Sequence, residues 1–107
     1  MKHLRAADNG QALVHVPMAV VWEVSVLVRS ARVRLGPSTR ELFEQLFQNP
    51  AYQPYGVTLE QIFTAGELGF TRDPFDALIV AAAQSLHLPL LTRDGAIHDS
   101  GIVDVIW

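Results

Sequence analysis

Three acidic side chains stand where an α/β chain can do chemistry. Glu23 falls within two turns of the end of an apolar strand read at residues 12–16, Asp76 in the first turn of a helix opened by Asp73-Pro74, and Asp94 just beyond the apolar pair Leu90-Leu91. In a parallel α/β sheet, ligands bind outside the carboxyl ends of the strands, where loops lead into helices. Carboxylates converging on that edge make a hard-cation site: Mg²⁺ and Mn²⁺ take oxygen ligands, keep several waters, and turn one of those waters into a nucleophile.

Each acid also has a plainer role open to it. Asp73, followed by Pro74 at the first helical position, reads as an N-cap. Asp76 can be the acidic partner of that cap and gain from the helix dipole. Asp94, before Gly95, can be a turn residue. Glu23 sits beside Trp22 in an otherwise apolar helix, where an unpaired carboxylate is costly, although such a helix keeps one wet face. His3, His15, His87 and His98 have no ligand-like spacing and read as surface or strand-end residues. No phosphate-binding glycine loop, nucleophile elbow or paired-histidine motif is present. Arg29, Arg32 and Arg34, with Arg40, form the one basic cluster, either a solvated helix end or a weak RNA- or partner-binding patch.

The elements that must position these groups follow from punctuation and periodicity. Asn9-Gly10 marks a turn before the strand at 12–16, and Pro17 suits the first turn of the helix that runs from Met18 to about Ser30. Ser38 or Thr39 caps a second helix with Leu42, Phe43, Leu46 and Phe47 on its apolar face, stopped at Asn49-Pro50. Residues 52–57 are extended, with Pro54 and Gly56 marking an edge or irregular strand. Thr58 and Gln61 make a capping box for a helix ending near Leu68, with Leu59, Ile62 and Phe63 expected on its buried stripe. The Asp73 helix runs to about Leu86; a buried strand at 89–92, a turn at Arg93-Asp94-Gly95 and a last strand at 102–106 complete the chain. Strands alternating with helices point to a single α/β domain over residues 1–107, built on a mostly parallel sheet.

Composition narrows the function classes. Of the 107 residues 50% are hydrophobic and 18% charged, which excludes a disordered chain. Eight Lys and Arg against eleven Asp and Glu leave a net charge of −3, so no global field draws the chain to nucleic acid or an anionic membrane, and contact with either needs a local patch. The absence of cysteine excludes disulfides, thiolate zinc sites and a Cys nucleophile, and fits a reducing, cytoplasmic setting. The first ten residues lack the apolar core of a signal peptide, and no apolar run approaches the roughly 20 residues that span a bilayer, so no membrane partner is expected.

Taken in order, three blocks become specific. Val20-Val21-Trp22-Glu23-Val24-Ser25, then Arg72-Asp73-Pro74-Phe75-Asp76-Ala77-Leu78-Ile79, then Leu90-Leu91-Thr92-Arg93-Asp94, with a closing Ile106-Trp107, together resemble a PIN domain, in particular the VapC-like toxins of bacterial toxin–antitoxin pairs. The resemblance runs from about Ala6 to Trp107. It implies a PIN-like α/β/α sandwich with a mostly parallel sheet. It implies a metal-dependent ribonuclease in which Glu23, Asp76 and Asp94 match the family's second, third and fourth acids and hold Mg²⁺ or Mn²⁺. Thr92 matches a supporting hydroxyl residue, and Asp73 matches an acid of one branch whose role here is mainly capping. An RNA substrate, a cognate antitoxin and a homodimer come with the same resemblance.

The family also opens with a buried strand ending in Asp and followed by a helix. The expectation is a chain N-terminally truncated by that unit, since Asp8 precedes a strand instead of following one. Such a chain exposes the edges of neighbouring strands and uncovers part of the core. Two functions are therefore expected to compete: a toxin-type endoribonuclease, and a catalytically inactive PIN fold serving as a protein-binding or dimerisation module. A third reading takes all three acids as caps and turns of an unrelated α/β domain.

Overall fold

Among the described residues, six short helices and four strands follow the alternation read from the sequence, with one further helix before the first strand and one between the last two. The computed structural model describes residues 2–34 and 36–106, and of Lys2 and His3 the backbone alone. Trp107 of the closing block, Leu35 of the basic segment and the His3 side chain lie outside the described residues. The order is α1 (Lys2–Asp8), β1 (Val14–Pro17), α2 (Met18–Arg29), α3 (Thr39–Gln48), β2 (Tyr52–Tyr55), α4 (Leu59–Glu67), α5 (Pro74–Leu86), β3 (Leu90–Leu91), α6 (Gly95–Ser100) and β4 (Val105–Ile106). The contacts divide into two units, residues 1–56 and residues 57–107.

In the first unit, β1 and β2 pair in parallel, Val14 against Tyr52 through Pro17 against Tyr55. The crossover between them is made by α2 and α3, as a parallel pair requires. Ala7, Val16, Phe43, Ala51 and Tyr52 form the buried centre, with Val20, Val21 and Val24 of α2 and Leu42, Leu46 and Phe47 of α3 packed against it. Phe43 and Phe47 stack at a 6.0 Å centroid distance, so the apolar face expected for this helix is the face it buries. Its cap is Ser38, whose Oγ accepts from the Glu41 N–H at 3.1 Å.

The helix α1 was not legible in the sequence, because no capping residue or apolar period announces it. Its anchor is tertiary: the Tyr52 hydroxyl donates to Asp8 Oδ1 at 2.7 Å, and Ala7 is fully buried. Hydrogen bonding to the Asp8 carboxylate, with burial and that negative charge, pushes the Tyr52 phenol above its ordinary value. The strand expected at 12–16 begins two residues later, with Leu13 left exposed.

In the second unit, β3 and β4 pair in parallel, Leu90 with Val105 and Leu91 with Ile106. Among the described residues each ladder is two-stranded, so every strand keeps one unpaired edge. The last strand is shorter than the 102–106 expected: the Ile102 carbonyl accepts from Gln84 Nε2 at 3.2 Å, outside the ladder.

Two expectations are corrected here. Leu59, Ile62 and Phe63 of α4 are 66%, 52% and 54% exposed, whereas Gln61 is 3% exposed. The helix packs on α5, whose Ala77, Ala81, Ala82 and Ala83 are buried small residues. Small residues let two helices approach closely, and on α4 the more covered positions are Gln61, Thr64 and Ala65 instead of the bulky face. The Arg93-Asp94-Gly95 turn is in fact the start of α6, six residues that sequence periodicity could not reveal at that length.

Candidate metal centre

The Asp73-Pro74 pair opens α5 as its local chemistry requires. Asp73 Oδ1 accepts from the Phe75 N–H at 2.8 Å and from the Asp76 N–H at 3.4 Å, while Pro74 occupies a position where no N–H is needed. The Asp73 N–H in turn donates to Thr71 Oγ1 at 3.0 Å. That bond takes the donor a capping-box carboxylate at Asp76 would need, so Asp76 is not the reciprocal partner of the cap.

The second aspartate repeats the device. Asp94 is the N-cap of α6, its Oδ1 accepting from the Ile97 N–H at 3.0 Å, and its own N–H donates to Thr92 Oγ1 at 3.1 Å. Thr71-Arg72-Asp73 and Thr92-Arg93-Asp94 are thus the same three-residue turn used twice. In each, a threonine hydroxyl holds the backbone of an aspartate that caps the next helix. The repeated Thr-Arg-Asp was visible in the sequence and is the signal that would have identified Thr71 as a counterpart of Thr92. Each cap engages Oδ1 of its carboxylate, which leaves Oδ2 as a second oxygen on each residue.

Asp76 is the group these turns bear on. Carboxylate oxygens of Asp73 and Asp76 lie within 4.8 Å of one another. Asp76 is half-buried, and its carboxyl is pushed above its ordinary value by burial first, then by the negative charges of Asp73 and Asp94. Two like charges acting on a partly desolvated carboxylate create a local demand for positive charge, and aspartate oxygens are the donors that hard divalent cations take. The second unit therefore sets Asp73 beside Asp76, with Asp94 near enough for its charge to act on Asp76 and Thr92 holding the Asp94 backbone.

Glu23 lies in the first unit, on α2 and half-buried. The basic residues Arg29, Arg32 and Arg34 are exposed at the end of that helix and just beyond it. Arg40 is drawn onto Glu44 at 3.8 Å, an exposed pair of small worth. Sequence reading missed the contact that ties this region together: the Arg29 guanidinium carbon lies 5.5 Å from the centroid of the Trp22 ring. The spacing of seven residues, two helical turns, was the available signal.

The histidines keep to minor roles. His15 meets Tyr55 edge to face at 6.1 Å, His87 closes α5 in the left-handed conformation with φ 54°, and His98 faces Asp99 at 3.4 Å on the surface. No helix among the described residues is long and apolar enough to cross a membrane.

Comparison with known proteins gives one positive finding. The family model of the PIN domain matches residues 1–101 of the chain. No curated protein and no solved structure matches it.

Proposed function

From the chain's membership of the PIN domain family, whose members are generally metal-dependent nucleases, we propose that this protein is an Mg²⁺- or Mn²⁺-dependent endoribonuclease, the VapC-like toxin of a type II toxin–antitoxin pair. The carrying observation is the electrostatics of Asp76, a half-buried carboxylate raised by burial and by the charges of Asp73 and Asp94. Crowding of carboxylates beside a half-buried one is a cost that a bound cation would offset, and the carboxylate oxygens of Asp73 and Asp76 lie within 4.8 Å of one another.

In this reading Asp76 and Asp94 are metal ligands, and Thr92 fixes the backbone from which Asp94 projects. Glu23 is assigned as a further ligand on its match to the family's second acid, in the Trp22-Glu23-Val24 block. Asp73 combines the α5 cap with negative charge beside Asp76. Held by these carboxylates, a divalent cation would supply charge neutralisation at the scissile phosphate and an activated water. The protein's part is to hold its carboxylates in place beforehand, which the two Thr-Arg-Asp turns do. Arg29, Arg32 and Arg34 supply phosphate contacts to a chain of acidic net charge. A cognate antitoxin, a homodimer and a cytoplasmic setting belong to the same proposal.

One observation favours a second reading, a non-catalytic PIN fold acting as a dimerisation or protein-binding module. Leu59, Ile62 and Phe63 form an exposed apolar stripe at i, i+3, i+4 on α4, a face of the kind that self-association covers.

The deciding experiment is Mn²⁺ titration of the whole chain by calorimetry, beside Asp94→Asn, followed by cleavage of RNA with Mg²⁺, Mn²⁺ or EDTA. Saturable binding lost in Asp94→Asn, with cleavage abolished by EDTA, supports the nuclease. A folded wild-type chain that binds no Mn²⁺ overturns it in favour of the module.

A further inference from the structure

We infer that Trp22 and Arg29 form a stacking platform for an unpaired base of single-stranded RNA, with Arg32 and Arg34 continuing it as a phosphate rail. This rests on the ribonuclease reading and names the form of RNA that reading leaves open.

Trp22 is 54% exposed on α2, although its indole is the largest apolar side chain the helix carries. Exposing that ring contributes nothing to the core, and an exposed aromatic with a cation at its face is the combination that binds bases without sequence preference. Arg29 supplies the cation, two turns along the same helix, 5.5 Å from the ring centroid. Its guanidinium holds the indole against one side and adds positive charge for a phosphate there, while the exposed remainder of the ring meets a base.

The backbone that carries the rest of the rail is fixed. Helix α2 ends in a Schellman turn: the Arg32 N–H donates to the Leu27 carbonyl at 2.9 Å and the Ala31 N–H to the Val28 carbonyl at 3.1 Å. Ala31 takes the left-handed conformation, φ 60°, that glycine would adopt with less strain. Arg32 therefore starts from a defined position directly past the helix. From Val24 to Arg40 the sequence has four arginines and no acid, and Arg29, Arg32 and Arg34 are all exposed. A chain of net charge −3 with its arginines so grouped carries a local patch complementary to a phosphate backbone. Glu23, assigned above to the metal, follows Trp22 directly in the sequence. Duplex RNA hides its bases inside the stack, so the platform selects single strands or loops.

The test measures binding apart from cleavage. The whole chain in EDTA is titrated into a dye-labelled single-stranded RNA dodecamer and followed by anisotropy, alongside Trp22→Leu, Trp22→Tyr and Arg29→Gln, with circular dichroism confirming that each variant folds. We expect Trp22→Leu to bind about tenfold more weakly and Trp22→Tyr to recover most of the loss. Arg29→Gln should weaken binding and reduce the salt slope by about one. An abasic strand of the same length should bind the wild type as weakly as the ordinary strand binds Trp22→Leu, with no further loss when the two changes are combined. Equal affinity of Trp22→Leu and wild type, or of abasic and ordinary strands, overturns the platform. So does a patch that binds a glutamate-rich peptide and no RNA. A chain that binds RNA through Trp22 and yet never cleaves it with Mn²⁺ overturns the nuclease reading alone. Cleavage with KM unchanged in Trp22→Leu overturns the platform alone.

Discussion

The hydroxyl of Thr92 accepts a hydrogen bond from the backbone N–H of Asp94 at 3.1 Å, and the hydroxyl of Thr71 does the same for Asp73 at 3.0 Å. The consequence is that two aspartates are held twice over, by a threonine from behind and by the cap they form in front. A side chain so constrained has lost its conformational entropy before any ligand arrives, which is the condition for a strong carboxylate site. The threonines are therefore positioning residues for the proposed metal centre, and their role can be separated from that of the acids.

Replacing Thr92 with valine keeps the shape and removes the acceptor. We expect a 10- to 100-fold weaker Mn²⁺ affinity, in line with the loss of an outer-sphere partner, and a stability cost of about 1 kcal/mol. Thr92→Ser should retain both. Calorimetry and urea unfolding of the three proteins check this; equal Mn²⁺ affinity in Thr92→Val and wild type removes the positioning role.

Asp76 makes stability depend on pH in a definite direction. Its carboxyl is raised from an ordinary value of 3.8, so the folded state binds its proton more tightly than the unfolded chain does. The destabilisation is absent below that ordinary value, grows as pH rises from there to the raised value, and stays constant above it. Metal-free Asp76→Asn should therefore be as stable as or more stable than wild type at pH 7, with the difference shrinking as pH falls toward 3.8. Adding Mn²⁺ at 100 times its Kd should stabilise the wild type by about 2.7 kcal/mol and leave Asp76→Asn unchanged. Thermal unfolding with and without Mn²⁺ reads both effects, and equal Mn²⁺ stabilisation of the two proteins would remove Asp76 from the site.

The left-handed Ala31 marks a site where stability can be gained. Ala31→Gly should raise unfolding free energy by about 1 kcal/mol, because the φ of 60° costs glycine little. Denaturant titration measures it. An unchanged or lower midpoint would mean that the strain at Ala31 is relieved elsewhere or that the gain is lost to unfolded-state entropy.

The exposed stripe on α4 gives a prediction about assembly. If this face joins two copies, Ile62→Glu or Phe63→Glu should convert a dimer to a monomer without loss of helix content, since both positions are exposed and half or more of each ring or chain surface is open. Light scattering after size exclusion, over a range of concentrations, reads the result. A wild-type chain that stays monomeric at high concentration removes the homodimer from the proposal.

The parts of the fold legible beforehand are those whose signal is local. Ser38, Thr58 and Asp73 were readable as caps because a side-chain oxygen finds an N–H two or three residues on, a bond that needs no distant partner. The apolar face of α3 was readable because Phe43 and Phe47 recur at helical period on a helix with one buried side. The same period misled in α4, where Leu59, Ile62 and Phe63 satisfy the pattern and face outward. Periodicity identifies an apolar face but not whether a neighbour exists to cover it; α4 packs on α5 with Gln61 buried and the bulky face left open. Helix α1 depends on the Tyr52–Asp8 bond across 44 residues, and the left-handed ends at Ala31 and His87 lack the glycine that would announce them.

The candidate site divides along the same line. Asp76 and Asp94, their block motifs and the cap at Asp73 could be named from residue types and order alone, because the chain's grammar of strand, turn and helix start is local. That Asp94 opens a helix, that Thr71 and Thr92 do the same work, and that Asp76 is half-buried within the influence of the Asp94 charge come only with folding. Electrostatic coupling falls with distance in space: Asp73 and Asp76 are neighbours by their i, i+3 spacing at one helix start, whereas the charge of Asp94 reaches Asp76 only through tertiary packing that no spacing in the sequence encodes.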